Sequence, residues 1–317
     1  MKVAVFGAGA VGSYLGSCLA KAGAGVHLIA RGKHLDALRR SGLTLVTPRG
    51  SETVRVAATD DPAGVGIVDV VLFAVKAYDT ESAARRLKPL LGLRTAVVSL
   101  QNGIENEDQL AAIIGPDHVV PMAVYILAAI EEPGVVRSGP ARVVLGEYSP
   151  GPPSKRVDDL AEMFRLGGVE AEVTADVRVA KWQKYTLLVG FSAVSAASQL
   201  PLGSIRQSPA AVAMMRAVMQ EAFEVATALG VALPDDQVER SIGRVLAQAD
   251  SEGASLRNDL LKGRRMELDA LQGALIRLGR QAGVPTPWTE AAYAILEPWA
   301  IKNGSSQAGN PDVARLT

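Results

Sequence analysis

Cysteine and histidine are nearly missing from this sequence: one cysteine, Cys18, and three histidines, at 27, 34 and 118, occur in 317 residues. A single cysteine excludes an internal disulfide and any multi-cysteine metal site. The scattered histidines offer no HExxH or comparable spacing, so no metal is expected. Cys18 falls on the apolar face of an expected helix and reads as a buried structural thiol rather than a nucleophile. Excess charge is missing too. The 33 Lys and Arg balance the 33 Asp and Glu, and no overall positive field favours nucleic acid or an anionic membrane surface. The expected partner is a small neutral or anionic molecule. The N-terminal apolar run is too short and too broken by glycine for a signal peptide or a membrane span, which makes the cytoplasm the expected location. With 48% hydrophobic residues, a chain of this length can form two domains, each with its own core.

What is present is concentrated at the start. Residues 2–6 form a β-branched apolar run of the kind buried in a parallel sheet, and Gly7, Gly9 and Gly12 follow at GxGxxG spacing. Val11, Leu15, Cys18, Leu19 and Ala22 then recur at helical period, Gly23 stops the helix, and residues 26–30 make a second strand. Strand, glycine turn and helix in this order form a dinucleotide cradle. Gly7 permits the sharp turn, Gly9 lets backbone approach a pyrophosphate, and Gly12 lets the helix lie close to the strand. The loop Gly7, Ala8, Gly9, Ala10, Val11 and Gly12 is therefore the candidate phosphate site, with helix N–H groups facing the phosphates. The acidic residue that accepts from the ribose 2′-OH of NAD is absent: Ala30, Arg31, Gly32, Lys33 and His34 occupy its place. Arg31 and Lys33 suit a 2′-phosphate, so the expected cofactor is NADP.

Further along, residues 34–40 read as a short helix closed by Gly42, and LTLVT and TVRVAAT as a β-hairpin around PRGSE. The apolar strand at 68–75 ends in Lys76, and the strand at 96–100 ends in Gln101, Asn102 and Gly103. Ligands of doubly wound sheets bind off the carboxyl ends of strands, which makes Lys76 and Asn102 candidates. VVPMAVYILAAI and RVVLGE, joined by PGVVRSG as a turn, read as an antiparallel edge. One more helix and strand end the first domain, expected at 1–176. Beyond it the period is helical, with helices at 177–197, 209–229, 235–249, 256–262, 267–282 and 289–301, so 177–317 is expected to be an all-α domain, frayed from 304 onward. Met214, Met215 and Met219 read as core filler. Lys184 lies in a nearly apolar helix, either snorkelling or held in a cleft. Ser255 and Asp259 are four apart on one helix face, and Glu267 begins the next helical run.

GAGAVG with Arg31, VKAYD with Lys76, SLQNG with Asn102, KWQK with Lys184, and ASLRNDLLKGRRMELD with Ser255, Asp259 and Glu267 together resemble the ketopantoate reductase family across essentially the whole chain. The resemblance implies an N-terminal Rossmann domain binding NADPH and a helical domain closing over a 2-oxo acid, which is reduced to a 2-hydroxy acid. The reaction implied is 2-dehydropantoate to pantoate in pantothenate biosynthesis. It makes Lys184 the general acid. Ser255 meets the substrate carboxylate region, with Asp259 beside it, and Glu267 supports the lysine, the substrate hydroxyl and the cofactor. Asn102 and Lys76 hold the nicotinamide ribose and the carbonyl in register. The sequence departs from the family's K-x3-N-x3-N-P pattern after the lysine: Leu188 and Ser192 stand where asparagines are usual and Ala193 where proline is. That leaves open a paralogue reducing a more apolar carbonyl and, from another class, a non-catalytic NADP-binding sensor. A homodimer is compatible with each.

Overall fold

The computed structural model describes residues 1–304; from residue 305 the expected frayed end lies outside the described residues. The chain forms two compact units that divide between Lys181 and Trp182.

The first unit runs β1 Lys2–Phe6, α1 Ala10–Lys21, β2 Gly25–Ile29, α2 Gly32–Ser41, β3 Leu43–Thr47, β4 Gly50–Val54, β5 Ala57–Thr59, β6 Val70–Phe73, α3 Thr80–Ala84, β7 Ala96–Ser99 and α4 Asn106–Ile114. It continues with β8 Val119–Tyr125, β9 Ala128–Glu132, β10 Val135–Ser138, β11 Arg142–Leu145, α5 Lys155–Leu166 and β12 Glu170–Val173. Eight strands make one sheet in the order β12-β11-β8-β7-β6-β1-β2-β5. Its central strands are parallel, and only β11 against β8 is antiparallel. Both faces are covered. Val3 and Val5 join one core cluster while Ala4 and Phe6 join another on the opposite face, which is why these strands are unbroken apolar runs rather than alternating ones. Cys18 is 2% exposed, and burial pushes its thiol pKa up to about 11. It is an inert core residue.

The sequence reading needs three corrections here. TVRVAAT is not one hairpin strand: β4 ends at Val54, and the chain re-enters the main sheet as β5 beside β2. PGVVRSG is not a turn, because it contains β10, which pairs antiparallel with β9 and parallel with β3. A second sheet of order β4-β3-β10-β9 results. The edge strand beyond β11 is β12, paired parallel.

The second unit is helical, as the period indicates. It consists of α6 Val177–Ser198, which begins in the first unit, then α7 Leu202–Arg206, α8 Pro209–Ala228, α9 Gln237–Leu246, α10 Ser255–Leu261, α11 Ala274–Ala282 and α12 Pro287–Lys302. A π-helical segment, Asp269–Gly273, leads into α11, and the short α7 is an addition to the helices expected. Ser208 accepts from the Ala211 N–H at the start of α8, with Pro209 following it; this is an N-cap with proline in the first turn. Met215 and Met219 are fully buried with Phe191, Ile205 and Val245, and Met214 packs against them. No helix of the described residues is long and apolar enough to cross a membrane.

Glu221 of α8 holds the start of α12. Its buried carboxylate accepts from the backbone N–H groups of Trp288 at 2.7 Å and Thr289 at 2.9 Å, and from the Thr289 hydroxyl at 2.6 Å. Burial pushes its pKa up, and these hydrogen bonds oppose the rise. Glu221→Ala leaves buried donors unmatched and is expected to lower stability by about 1–3 kcal/mol, read as the shift in urea unfolding; an unchanged midpoint would show the cap to be dispensable.

Candidate active site

β1 and β6 are neighbours in the main sheet, and the loops leaving their carboxyl ends meet. Gly7 has φ +94°, and a Cβ there would lie 2.8 Å from the Val75 backbone nitrogen. At Gly12 a Cβ would lie 2.7 Å from the Gly7 carbonyl oxygen. Gly9 faces open space instead, with nothing within 4 Å of a built Cβ. A cleft of about 330 Å³ opens over these loops, lined by Gly7, Ala8, Gly9, Ala30, Arg31, His34 and Lys76 among others. Helix geometry leaves the first N–H groups of α1 without intrahelical acceptors. Gly9 offers no side-chain cap and the first turn contains no acidic residue, so that helix end is open to an anion.

His34, one of the residues lining the cleft, carries an orphaned polar atom. His34 Nδ1 accepts from the Gly134 N–H at 3.1 Å, which fixes a neutral ring with its proton on Nε2, and burial lowers its pKa. Nε2 is buried with no hydrogen-bond partner among the described residues. It is a buried donor on a residue that lines the cleft together with Arg31, Lys76 and Asp79. A dinucleotide fits this donor set: glycine backbone and helix N–H groups for the pyrophosphate, and cations at the β2 end.

The other strand-end candidate is held by its neighbours. Gln101 Nε2 donates to Thr80 Oγ1 at 2.7 Å, and that hydroxyl donates to the Ala77 carbonyl at 2.7 Å. The end of β7 is thereby tied to the loop after Lys76. Asn102 follows, its carbonyl accepting from Asn106 Nδ2 at 2.8 Å, with Gly103 at φ +110° completing the turn. Lys33 and Asn102 are not among the residues lining the cleft.

Lys184, Leu188, Ser192, Ser255, Asp259 and Glu267 all fall in the helical unit. Lys184 and Leu188 are half-buried on α6, whereas Ser192 is buried and its hydroxyl accepts from Gln272 Nε2 at 2.8 Å. Ser255 opens α10 exposed. Asp259, one turn later, is 5% exposed and paired with Arg264 at 2.6 Å. Glu267 is also buried, at 8%, just before the π-helical segment. Two charged residues escaped the sequence reading. Lys181 and Glu107 form a buried ion pair joining the second turn of α6 to α4. Lys181 stands in the same KWQK run as Lys184, but nothing in the sequence pairs it with a glutamate 74 residues away. Among the described residues no group of His, Cys, Asp and Glu could hold a metal.

A glycine cradle on a doubly wound sheet, joined to a helical unit with a lysine on its first long helix, defines a nicotinamide-dependent oxidoreductase. The family model for ketopantoate reductase PanE/ApbA matches residues 3–150, and that for its C-terminal part matches residues 176–299. The chain belongs to the ketopantoate reductase family. The 2-dehydropantoate 2-reductase of Mesorhizobium japonicum is 34% identical over 96% of this chain and 99% of its own length. That of Halobacterium salinarum is 35% identical over 90% of this chain and 95% of its own. The crystal structure of a PanE/ApbA family ketopantoate reductase from Ralstonia eutropha superposes with TM-score 0.88 at 40% identity, covering 96% of this chain and 100% of that one.

Because a methyl group at residue 12 meets backbone on one side and core on the other, overpacking of about 1–3 kcal/mol is expected in Gly12→Ala. Distortion of the phosphate loop should appear as weaker binding of the dinucleotide in a fluorescence titration, by tenfold or more. Unaltered affinity would mean that the loop does not bind the phosphates.

Proposed function

We propose that this chain reduces 2-dehydropantoate to pantoate with NADPH, a step of pantothenate biosynthesis, with residues 1–176 as the NADP-binding domain and 177–317 as the substrate and catalytic domain. The observation that carries the reading is the cleft after β1 with Arg31 at the β2 end, in a chain that matches the family over residues 3–150 and 176–299. NADP rather than NAD is supported by the absence of a carboxylate at 30–34 and by Arg31 on the wall of the cleft.

The bound cofactor supplies hydride to the ketone carbon. Negative charge then develops on the carbonyl oxygen, where the Lys184 ammonium stabilises it and gives up its proton to complete the hydroxyl. A carboxylate near that lysine keeps it charged and oriented, the role of Glu267. Ser255 receives the substrate carboxylate, with Asp259 held beside it by Arg264. Asn102 and Lys76, on loops that Gln101 ties together, hold the reacting groups in line.

Three measurements test the reading. Purified protein should oxidise NADPH on addition of 2-dehydropantoate, and failure to turn over that acid would overturn the substrate assignment. NADPH should be preferred to NADH, with Arg31→Ala eroding the preference by about 1.5–3 kcal/mol, the scale of a charge-assisted contact; equal kcat/KM for both cofactors in the wild type removes the NADP assignment. Lys184→Ala should lower kcat by at least ~10²-fold with cofactor affinity nearly unchanged. A variant turning over at the wild-type rate shows that another group supplies the proton.

A further inference from the structure

Arg86 stands two residues past the end of α3, half-buried on the wall of the cleft that also holds Gly9, Arg31 and Lys76. Its guanidinium lies over the ring of Phe6, 5.6 Å from the centroid, and Phe6 is the last residue of β1 before the glycine loop. The same group donates to the Asp60 carbonyl in a long contact of 3.5 Å. Asp60 directly follows β5, and β2 lies between β1 and β5 in the sheet. The two contacts therefore carry the guanidinium across the end of β2, where the chain leaves for Arg31. Asp60 offers it no charge, because its carboxylate accepts from Arg39 at 3.0 Å. The neighbouring Arg85 has its own carboxylate, Glu81 at 2.7 Å. Arg86 has none within ion-pair distance among the described residues.

A cation partly withdrawn from water is unfavourable until an anion completes it, and the face of one phenylalanine ring offsets only part of that. The end of β2 is where a bound dinucleotide presents the 2′ position of its adenosine ribose. Asp79 lines the cleft as well, but on the loop after β6 and outside ion-pair distance of Arg86. We propose that Arg86 is a second cation for the 2′-phosphate of NADP: Arg31 from the end of β2 and Arg86 from the segment after α3 donate to one phosphate group. This rests on the NADP reading given above. Arginine suits the task because its planar fork offers parallel N–H groups to phosphate oxygens. The preference for a phosphorylated ribose is then set from two elements, of which only the β2 end carries a recognisable sequence signal.

Calorimetric titrations with adenosine 2′,5′-bisphosphate and with adenosine 5′-monophosphate, the same molecule without its 2′-phosphate, read the contact as the ratio of the two affinities. Neither probe reacts, so the readout is independent of turnover. Arg86→Gln removes the charge and keeps most of the length. It is expected to lower the ratio by about tenfold, with affinity for the monophosphate changing less than about threefold, as for the loss of one charge-assisted contact. Thermal melts establish that the variant is folded; should it not be, Arg86→Lys, which keeps the charge without the fork, replaces it and is expected to lower the ratio by about threefold. An unchanged ratio overturns the proposal. So does an equal loss on both nucleotides, which would mark Arg86 as a support for the adenine or for Phe6. Wild-type protein that binds the bisphosphate no better than the monophosphate removes the NADP reading and this inference together, whereas a wild-type preference that survives in the variant removes this inference alone.

Discussion

The cradle exists because backbone touches backbone where β1 turns into α1. The Gly12 Cα lies so close to the Gly7 carbonyl and to Ala74 that a methyl group would sit 2.7 Å from one and 2.9 Å from the other. This contact seats the start of α1 over the gap between β1 and β6, and the loops after both strands then line one cleft. Close-packed interiors transmit such constraints because they have no slack to absorb a methylene. The open N-terminus of α1, the Arg31 guanidinium at the end of β2 and the loop of Lys76 are arranged around a vertex that only hydrogen at Cα permits.

In the helical unit, polar contacts between elements set the arrangement as much as apolar packing does. Tyr185 to Leu271 and Gln272 to Val189 and Ser192 join α6 to the π-helical segment, while Glu221 joins α8 to α12. Each contact places a donor on a buried acceptor, where an unmatched group would cost more than the bond contributes. Such bonds are directional. They hold the register of α6 against its neighbour, and α6 and the chain just before the π-helical segment carry Lys184 and Glu267, the two residues proposed to act in proton transfer.

Much of the first unit was legible in the sequence because its signals are local. A β-branched run, three glycines at fixed spacing and a helical apolar stripe each depend on residues within a turn or two. Residues 135–138 were misread for the opposite reason. Pro133 and Gly134 signal a turn, and the strand that follows is stabilised by pairing with Thr44, Leu45 and Val46, about ninety residues earlier. TVRVAAT was misread likewise, because its two halves pair in different sheets. The Lys181 and Glu107 pair has no sequence signature, and neither does the approach of Gln272 to Ser192 across 80 residues.

The sequence by itself determined the class of the fold, the place of the dinucleotide cradle and the absence of a carboxylate at its β2 end, because backbone conformation, period and residue charge are properties of short segments. Only the tertiary structure decided which side chains meet. It set His34 and Arg31 on one cleft wall, buried Asp259 against Arg264, and turned Ser192 toward an amide from another segment. Those pairings depend on the crossing of elements far apart in the chain, where burial sets the worth of each polar group and no local pattern records it.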